Sequence, residues 1–256
     1  MSTLNHQVIA ITGGSQGFGL AIARALVAAG AKVGLISRNP KTLDAAVAAL
    51  GADKAFAQVA DVAEPEAIKQ AIDAIATHYG RLDGLVNNAG VARPDPLEAV
   101  SAADFAMQWA VNVGGVLWAS QAALPWLRKS DNPRIVTITS ASARHNDEMA
   151  HLGVYASTKA AAERMTFELR EELKGEGIAV TAVSPGFAAT DFAAGWDFAK
   201  LQKAAAVWRK RSPEFYEGMG VDDIGAAVAH CFGYPRGVAV DFIEVRPNRP
   251  VTKPEF

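Results

Sequence analysis

Apolar residues along this chain alternate between two periodicities. Short runs rich in β-branched residues recur at Gln7 to Thr12, Lys32 to Ser37, Ala55 to Val59, Leu82 to Val86 and Ile135 to Ser140. Runs of that length and composition predict buried strands. Between them lie alanine-rich or amphipathic stretches, Leu20 to Ala29, Pro40 to Leu50, Pro65 to Tyr79 and Ser101 to Leu127, with Gly30 and Gly80 as helix stops. These read as helices, and another begins near Val154. Strands alternating with helices predict right-handed crossovers and a parallel sheet covered on both faces. The stretch from Phe192 to Arg211 breaks the alternation with an amphipathic segment that holds Trp196, Phe198, Leu201, Val207 and Trp208. Beyond the carboxyl end of a strand, such an insert is placed to be a lid whose aromatic residues line an apolar pocket. Ordinary helix packing has the same spacing. Val238 to Val245 supplies a last strand. The expected fold is α/β, a single doubly wound Rossmann-type domain over residues 1–256, with a mostly parallel sheet and a short helical lid insert at about 188–211.

Composition narrows the partners. With 256 residues, 50% hydrophobic and 20% charged, the chain buries one full core. A net charge of −2 provides no basic field, so neither nucleic acid nor an anionic membrane is expected as a partner. Cys231 is the single cysteine and sits in the apolar run Val228 to Phe232. It is expected to be a buried small hydrophobe in a reducing, cytoplasmic protein. No charged segment followed by an apolar one precedes the first glycine motif, and no apolar stretch is long enough to span a bilayer.

Candidate chemistry falls at the predicted strand ends. The first strand runs into Gly13-Gly-Ser15-Gln16-Gly17-Phe18-Gly19 and then a helix. Glycines there admit a close phosphate, and the helix N-terminus offers free N–H groups and a favourable dipole, so the turn predicts a dinucleotide site. The second strand ends at Ser37-Arg38, where NAD sites usually carry an acidic residue for the ribose 2′-hydroxyl. A guanidinium without that carboxylate accepts a 2′-phosphate, so NADP(H) is favoured over NAD(H). Asp61-Val62 and Asn87-Asn88-Ala89-Gly90 close the next two strands. Asp61 is placed to bond the adenine amino group, and the backbone after Asn87 to pass beneath the adenosine. Further on, Tyr155 and Lys159 stand four residues apart and share one helical face. An ordinary phenol has a pKa of about 10. An adjacent ammonium favours the phenolate and makes the group useful as an acid or base.

Thr12-Gly-Gly-Ser-Gln-Gly-Phe-Gly19, Asn87-Asn-Ala-Gly90, Asn112, Ile135-Val-Thr-Ile-Thr-Ser140, Tyr155-x-x-x-Lys159 and Pro185-Gly186 follow one another in an order that resembles the short-chain dehydrogenase/reductase family. The resemblance is strong over residues 5–190 and weaker beyond. It implies a tetrad of Asn112, Ser140, Tyr155 and Lys159. In that pattern Tyr155 donates a proton to the substrate oxygen as the nicotinamide hydride reaches carbon, and Ser140 bonds the same oxygen. Lys159 lowers the Tyr155 pKa and holds the ribose, while Asn112 positions a water. Pro185, Gly186 and Thr190 are implied on the nicotinamide side. The implied activity is an NADPH-dependent carbonyl reductase, reversible as a secondary-alcohol dehydrogenase, in a homodimer or homotetramer. An NAD-dependent alcohol dehydrogenase and a catalytically idle dinucleotide sensor are the alternatives.

Two features depart from the family pattern. The segment from Ser140 to Tyr155 is about two residues longer than usual, and Ser142 is a second hydroxyl in reserve. The loop between them is polar, with Arg144, His145, Glu148 and His151 as candidate substrate contacts. Its histidines lack ligand spacing, and no metal is expected. The C-terminus lacks the family's glycine-rich ending and runs into Arg246-Pro-Asn-Arg-Pro250, which leaves the oligomer geometry open.

Overall fold

The computed structural model describes residues 4–145, 150–188, 191–193, 196–211 and 218–248. Seven strands form one sheet in the order β3-β2-β1-β4-β5-β6-β7. They are β1 (Val8–Thr12), β2 (Lys32–Ser37), β3 (Ala55–Val59), β4 (Gly84–Asn87), β5 (Arg134–Ile138), β6 (Ala179–Pro185) and β7 (Phe242–Val245). Every pairing is parallel. The order reverses between β1 and β4, the point at which an open parallel sheet forms a crevice beyond its strand ends.

Helices α1 (Gly17–Ala28), α2 (Pro40–Leu50), α3 (Pro65–Tyr79), α4 (Ala102–Trp109), α5 (Gly115–Leu127), α6 (Gly153–Leu173), α7 (Phe198–Arg211) and α8 (Val221–Phe232) complete the chain. On one face Ile22, Leu26, Ile224 and Phe232 bury the sheet. On the other, Ile68, Ile72, Ile75, Ala119 and Leu127 do so. Contact across α1 and α8 is close because Gly225 lies against the Ala21 carbonyl, where a Cβ would come within 2.7 Å of that oxygen. Cys231 is buried, as expected, and burial pushes its thiol up to about 11.

Three of the differences from the predicted boundaries trace to named contacts. The long helix expected over 101–127 is interrupted by a π-turn at Ala110–Gly114, in which Gly115 N–H donates to Ala110 O. Strand β4 starts two residues late because Asp83 is turned inward instead. Its carboxylate accepts Val8 N–H at 2.9 Å, the Arg81 fork at 2.8 Å and the Ser130 hydroxyl at 2.6 Å. Strand β7 is shorter than Val238 to Val245 because the carbonyls before it are committed elsewhere. The fully buried Arg134 guanidinium takes those of Tyr234 at 2.6 Å, Pro235 at 2.9 Å and Val238 at 3.0 Å.

Candidate active site

The glycine turn after β1 is held from two sides. Gly13 and Gly17 have φ of +64° and +51°, a region that only glycine enters readily. Asn88 Nδ2 donates to the Thr12 and Gly13 carbonyls at 2.9 and 3.1 Å, and the Thr12 hydroxyl accepts the N–H groups of Asn88 and Ala89. The end of β4 therefore fixes the turn. Gly19 permits this contact, since a Cβ there would meet Gly13 O at 2.0 Å and Asn88 Nδ2 at 2.7 Å.

Helix α1 begins at this turn without a side-chain cap and without an acidic residue in its first turn. Its leading N–H groups are therefore available to an anion. Gln16, Gly17 and Phe18 line a cleft of 540 Å³ that also takes in Arg38, Gly90, Ser140, Tyr155, Lys159, Pro185 and Gly186. This geometry fits a dinucleotide: a cradle of backbone N–H groups at one end, a guanidinium beside it, and a phenol and an ammonium at the other.

Other predicted residues stand behind that surface. Ser15 and Ser37 are joined by a 3.1 Å hydrogen bond, with Thr42 donating to Ser15 at 3.0 Å. Arg38 Nη1 lies 3.6 Å from Asp61 Oδ2, and Asp61 also accepts Ala63 N–H. Val62 is a core residue packed against Gly115. Thr190 and Glu148 lie outside the described residues.

Tyr155 and Lys159 are both on α6. Lys159 is buried, and its Nζ donates to Ile138 O at 2.8 Å and sits 5.9 Å from the Tyr155 ring centre. Ser140 follows β5 and pulls the titration of the Tyr155 phenol down, while Ser142 hydrogen-bonds Ser140 at 2.9 Å. Of the two serines, Ser140 is the one that acts on the phenol. Desolvation dominates the titration of the pair. It pushes Tyr155 up to about 12, against an opposing pull from Ser140, and Lys159 down to about 8. Within the chain, then, burial opposed by Ser140 sets the direction of the phenol's shift.

Asn112 lies in the π-turn with its side chain spent on protein. Its Oδ1 accepts Val91 N–H and its Nδ2 donates to Val91 O, both at 2.8 Å, and Nδ2 also donates to Thr158 at 2.9 Å. That amide faces Gly90 together with Lys159.

The far end of the cleft is aromatic. Ring centres step from Tyr155 to Phe192 at 5.6 Å, to Trp196 at 5.8 Å and to Trp208 at 6.3 Å. Trp208 on α7 donates to Ala150 O at 2.6 Å, and Lys200 pairs with Asp95 at 2.5 Å. Helix α7 thus contributes Leu201 and Trp208 to this wall of the cleft. His145 is instead bonded to Glu244 at 2.9 Å, and Arg144 to Glu163 at 2.7 Å. Arg93, Leu152 and Phe187 also line the cleft. Sequence reasoning had no signal for them, because each is a lone residue in a loop or at an element's end. Among the described residues no group of His, Cys, Asp or Glu could hold a metal ion, and no helix is long and apolar enough to cross a membrane.

These features define an oxidoreductase class: a Rossmann-type sheet with a nicotinamide dinucleotide crevice and a phenol at its reactive end. The short chain dehydrogenase profile matches residues 7–199, and the chain belongs to that family. It is 30% identical to sulfoacetaldehyde reductase 2 of Chromohalobacter salexigens over 245 residues, 94% of each chain. Among solved structures it resembles a short chain dehydrogenase from Burkholderia cenocepacia in complex with NADP, with TM-score 0.82 and 34% identity over 94% of this chain and 97% of that one. A 3-ketoacyl-(acyl-carrier-protein) reductase from Brucella melitensis complexed with NADH aligns with TM-score 0.83 and 25% identity, over 95% of this chain and 98% of that one.

Proposed function

We propose that the protein is an NADP(H)-dependent carbonyl reductase, reversible as a secondary-alcohol dehydrogenase, that acts in the cytoplasm as a homodimer or homotetramer. The observation that carries this reading is that Ser140, Tyr155 and Lys159 line the same cleft as the uncapped start of α1. A bound nicotinamide supplies or accepts the hydride at its C4. The chain's part is to hold the carbonyl oxygen and move one proton.

Tyr155, partly buried and protonated at neutral pH, is the donor to that oxygen in the reductive direction and the acceptor in the oxidative one. Ser140 donates to the same oxygen and stabilises the charge that develops on it. Lys159, released from Ile138 O, is within reach of ribose hydroxyls, and Asn112 keeps the wall at Val91 in register with α6. Arg38 holds the 2′-phosphate, and Gln16 to Gly19 hold the pyrophosphate. Pro185 and Gly186 border the nicotinamide, with Thr190 as its further contact. The relatives named as reductases and the NADP-bound neighbour support the direction and the cofactor.

The test is NADPH oxidation against ketones, aldehydes, quinones, keto-acyl esters and keto-sugars, with Tyr155→Phe beside the parent. Turnover is expected in the parent and a loss of at least about 10²-fold in the variant, with cofactor affinity kept. Equal turnover in the two removes Tyr155 from the mechanism. Tight NADPH binding with no turnover of any carbonyl points to the idle sensor.

A further inference from the structure

Arg93 lines the same cleft as Ser140 and Tyr155, at its aromatic end. The backbone around it is pinned at alternate residues. Val91 is clamped by Asn112, Arg93 N–H donates to Gln108 Oε1 at 3.3 Å, and Asp95 N–H donates to His151 O at 2.8 Å. Gln108 is fully buried one helical turn before Asn112, so α4 and the π-turn spend two amides on holding this edge.

The guanidinium itself is half-buried and underused. Nη1 donates to Ala92 O at 2.8 Å, and no carboxylate among the described residues pairs with it. Asp95 is paired with Lys200, and Asp104 accepts the Ser101 hydroxyl. A guanidinium has five N–H donors, and the Ala92 carbonyl takes one of them. Trp196 adds a second donor: its Nε1 is buried without a hydrogen-bond partner, and its ring packs on the cluster that contains Ala92. Buried donors are normally satisfied. An apolar wall carrying two idle donors, one of them a fixed positive charge, is complementary to an acceptor-rich anion and costly beside a neutral hydrocarbon.

We propose that the physiological substrate is a carbonyl compound bearing an anionic group, a carboxylate or sulfonate, that Arg93 binds with help from the Trp196 indole N–H while Tyr155 and Ser140 hold the carbonyl. Arg93 is then a specificity-determining residue. This rests on the carbonyl-reductase reading and adds the substrate's charge to it.

The experiment compares kcat/KM for 4-formylbenzoate and 4-formylbenzenesulfonate with that for the neutral methyl 4-formylbenzoate in the parent, Arg93→Ala, Arg93→Lys and Trp196→Phe enzymes. The readout is the anionic-to-neutral ratio, so a general loss of folded enzyme cancels. The parent is expected to favour the anions. Arg93→Ala should cut the ratio by roughly 10- to 100-fold, mainly through KM. Arg93→Lys should recover much of it and Trp196→Phe should lower it a few-fold. A ratio in Arg93→Ala equal to the parent's overturns the proposal and leaves the reductase reading standing. No turnover of any of the three aldehydes by the parent, with either NADPH or NADH, counts against both.

Discussion

Asn112 and Val91 are joined by a reciprocal pair of hydrogen bonds, amide to peptide, each 2.8 Å long. The same Asn112 Nδ2 reaches Thr158 on α6, one residue before Lys159. One buried side chain therefore links the π-turn, the segment leading to Arg93, and the helix that carries Tyr155 and Lys159.

Removing it leaves the part-buried Val91 N–H and C=O without their partners, while the Thr158 hydroxyl keeps its bond to the Tyr155 carbonyl. Asn112→Ala is expected to cost about 2 to 4 kcal/mol of stability. The cost should appear as a lower urea midpoint with an unchanged slope. Asn112→Asp keeps the acceptor for Val91 N–H but loses the donor, and should fall between the two. A midpoint in the alanine variant equal to the parent's would show that the pair contributes nothing net.

Much of this architecture was legible in the residues. Strands with β-branched runs and helices with glycine stops fixed the alternation, and the glycine turn, Arg38, Ser140, Tyr155 and Lys159 were each found at a strand end or on α6 facing one cleft. What was hidden depends on contacts remote in sequence. The π-turn adds a single residue to a helical repeat, which periodicity over one turn does not register. Strand β7 is trimmed by Arg134, about a hundred residues earlier. The titration of Tyr155 follows from desolvation, which a Tyr-x-x-x-Lys spacing does not report. Arg93 is one arginine in a loop until Gln108 and the aromatic wall give it a place.

The Tyr155 and Lys159 pair makes stability depend on pH in a defined sense. Lys159 is pushed down to about 8 by burial. Between that value and its ordinary 10.5 the folded chain has released a proton that the unfolded chain keeps, so stability rises with pH across this window. Tyr155, pushed up to about 12, acts in the opposite sense. The folded chain retains a proton that the unfolded one loses above 10, so its share falls from there upward. Urea unfolding of the parent and of Lys159→Met, without cofactor, from neutral pH to about 10 isolates the lysine. The parent should gain on the variant by at most about 1.4 kcal/mol per pH unit above 8. A constant difference would mean that Lys159 titrates as an exposed lysine does.

Arg38 is a surface residue in this structure, with its side chain 66% exposed and an Asp61 carboxylate 3.6 Å away. An ion pair so exposed contributes less than about 1 kcal/mol to folding, so Arg38→Ala should unfold like the parent. Its effect belongs to cofactor choice. Loss of a forked bond to the 2′-phosphate should weaken NADPH by roughly 10- to 100-fold and leave NADH within a few-fold. Fluorescence titration of each nucleotide gives both dissociation constants. If their ratio survives the substitution, the 2′-phosphate is held elsewhere and the preference for NADP(H) loses its basis.

The two serines separate in the same way. Ser140 is the serine that acts on the phenol, and Ser142 hydrogen-bonds Ser140, so Ser140→Ala is expected to lose roughly 10² to 10³ in kcat, the range for an oxyanion donor. Ser142→Ala should lose about tenfold or less, since it orients a hydroxyl that stays in place. The turn that carries them is tied down by Glu163, which accepts Thr139 at 3.2 Å and Arg144 at 2.7 Å from its nearly buried place on α6. Glu163→Gln removes the charge that Arg144 pairs with and keeps the shape. It should cost about 1 to 3 kcal/mol of stability and lower kcat through Ser140 while NADPH affinity, set at the other end of the cleft, stays near the parent's. Reversal of the serine order, with Ser142→Ala the more damaging, would hand the oxyanion role to Ser142. An unaltered kcat in Glu163→Gln would show that the turn holds its geometry without the anchor.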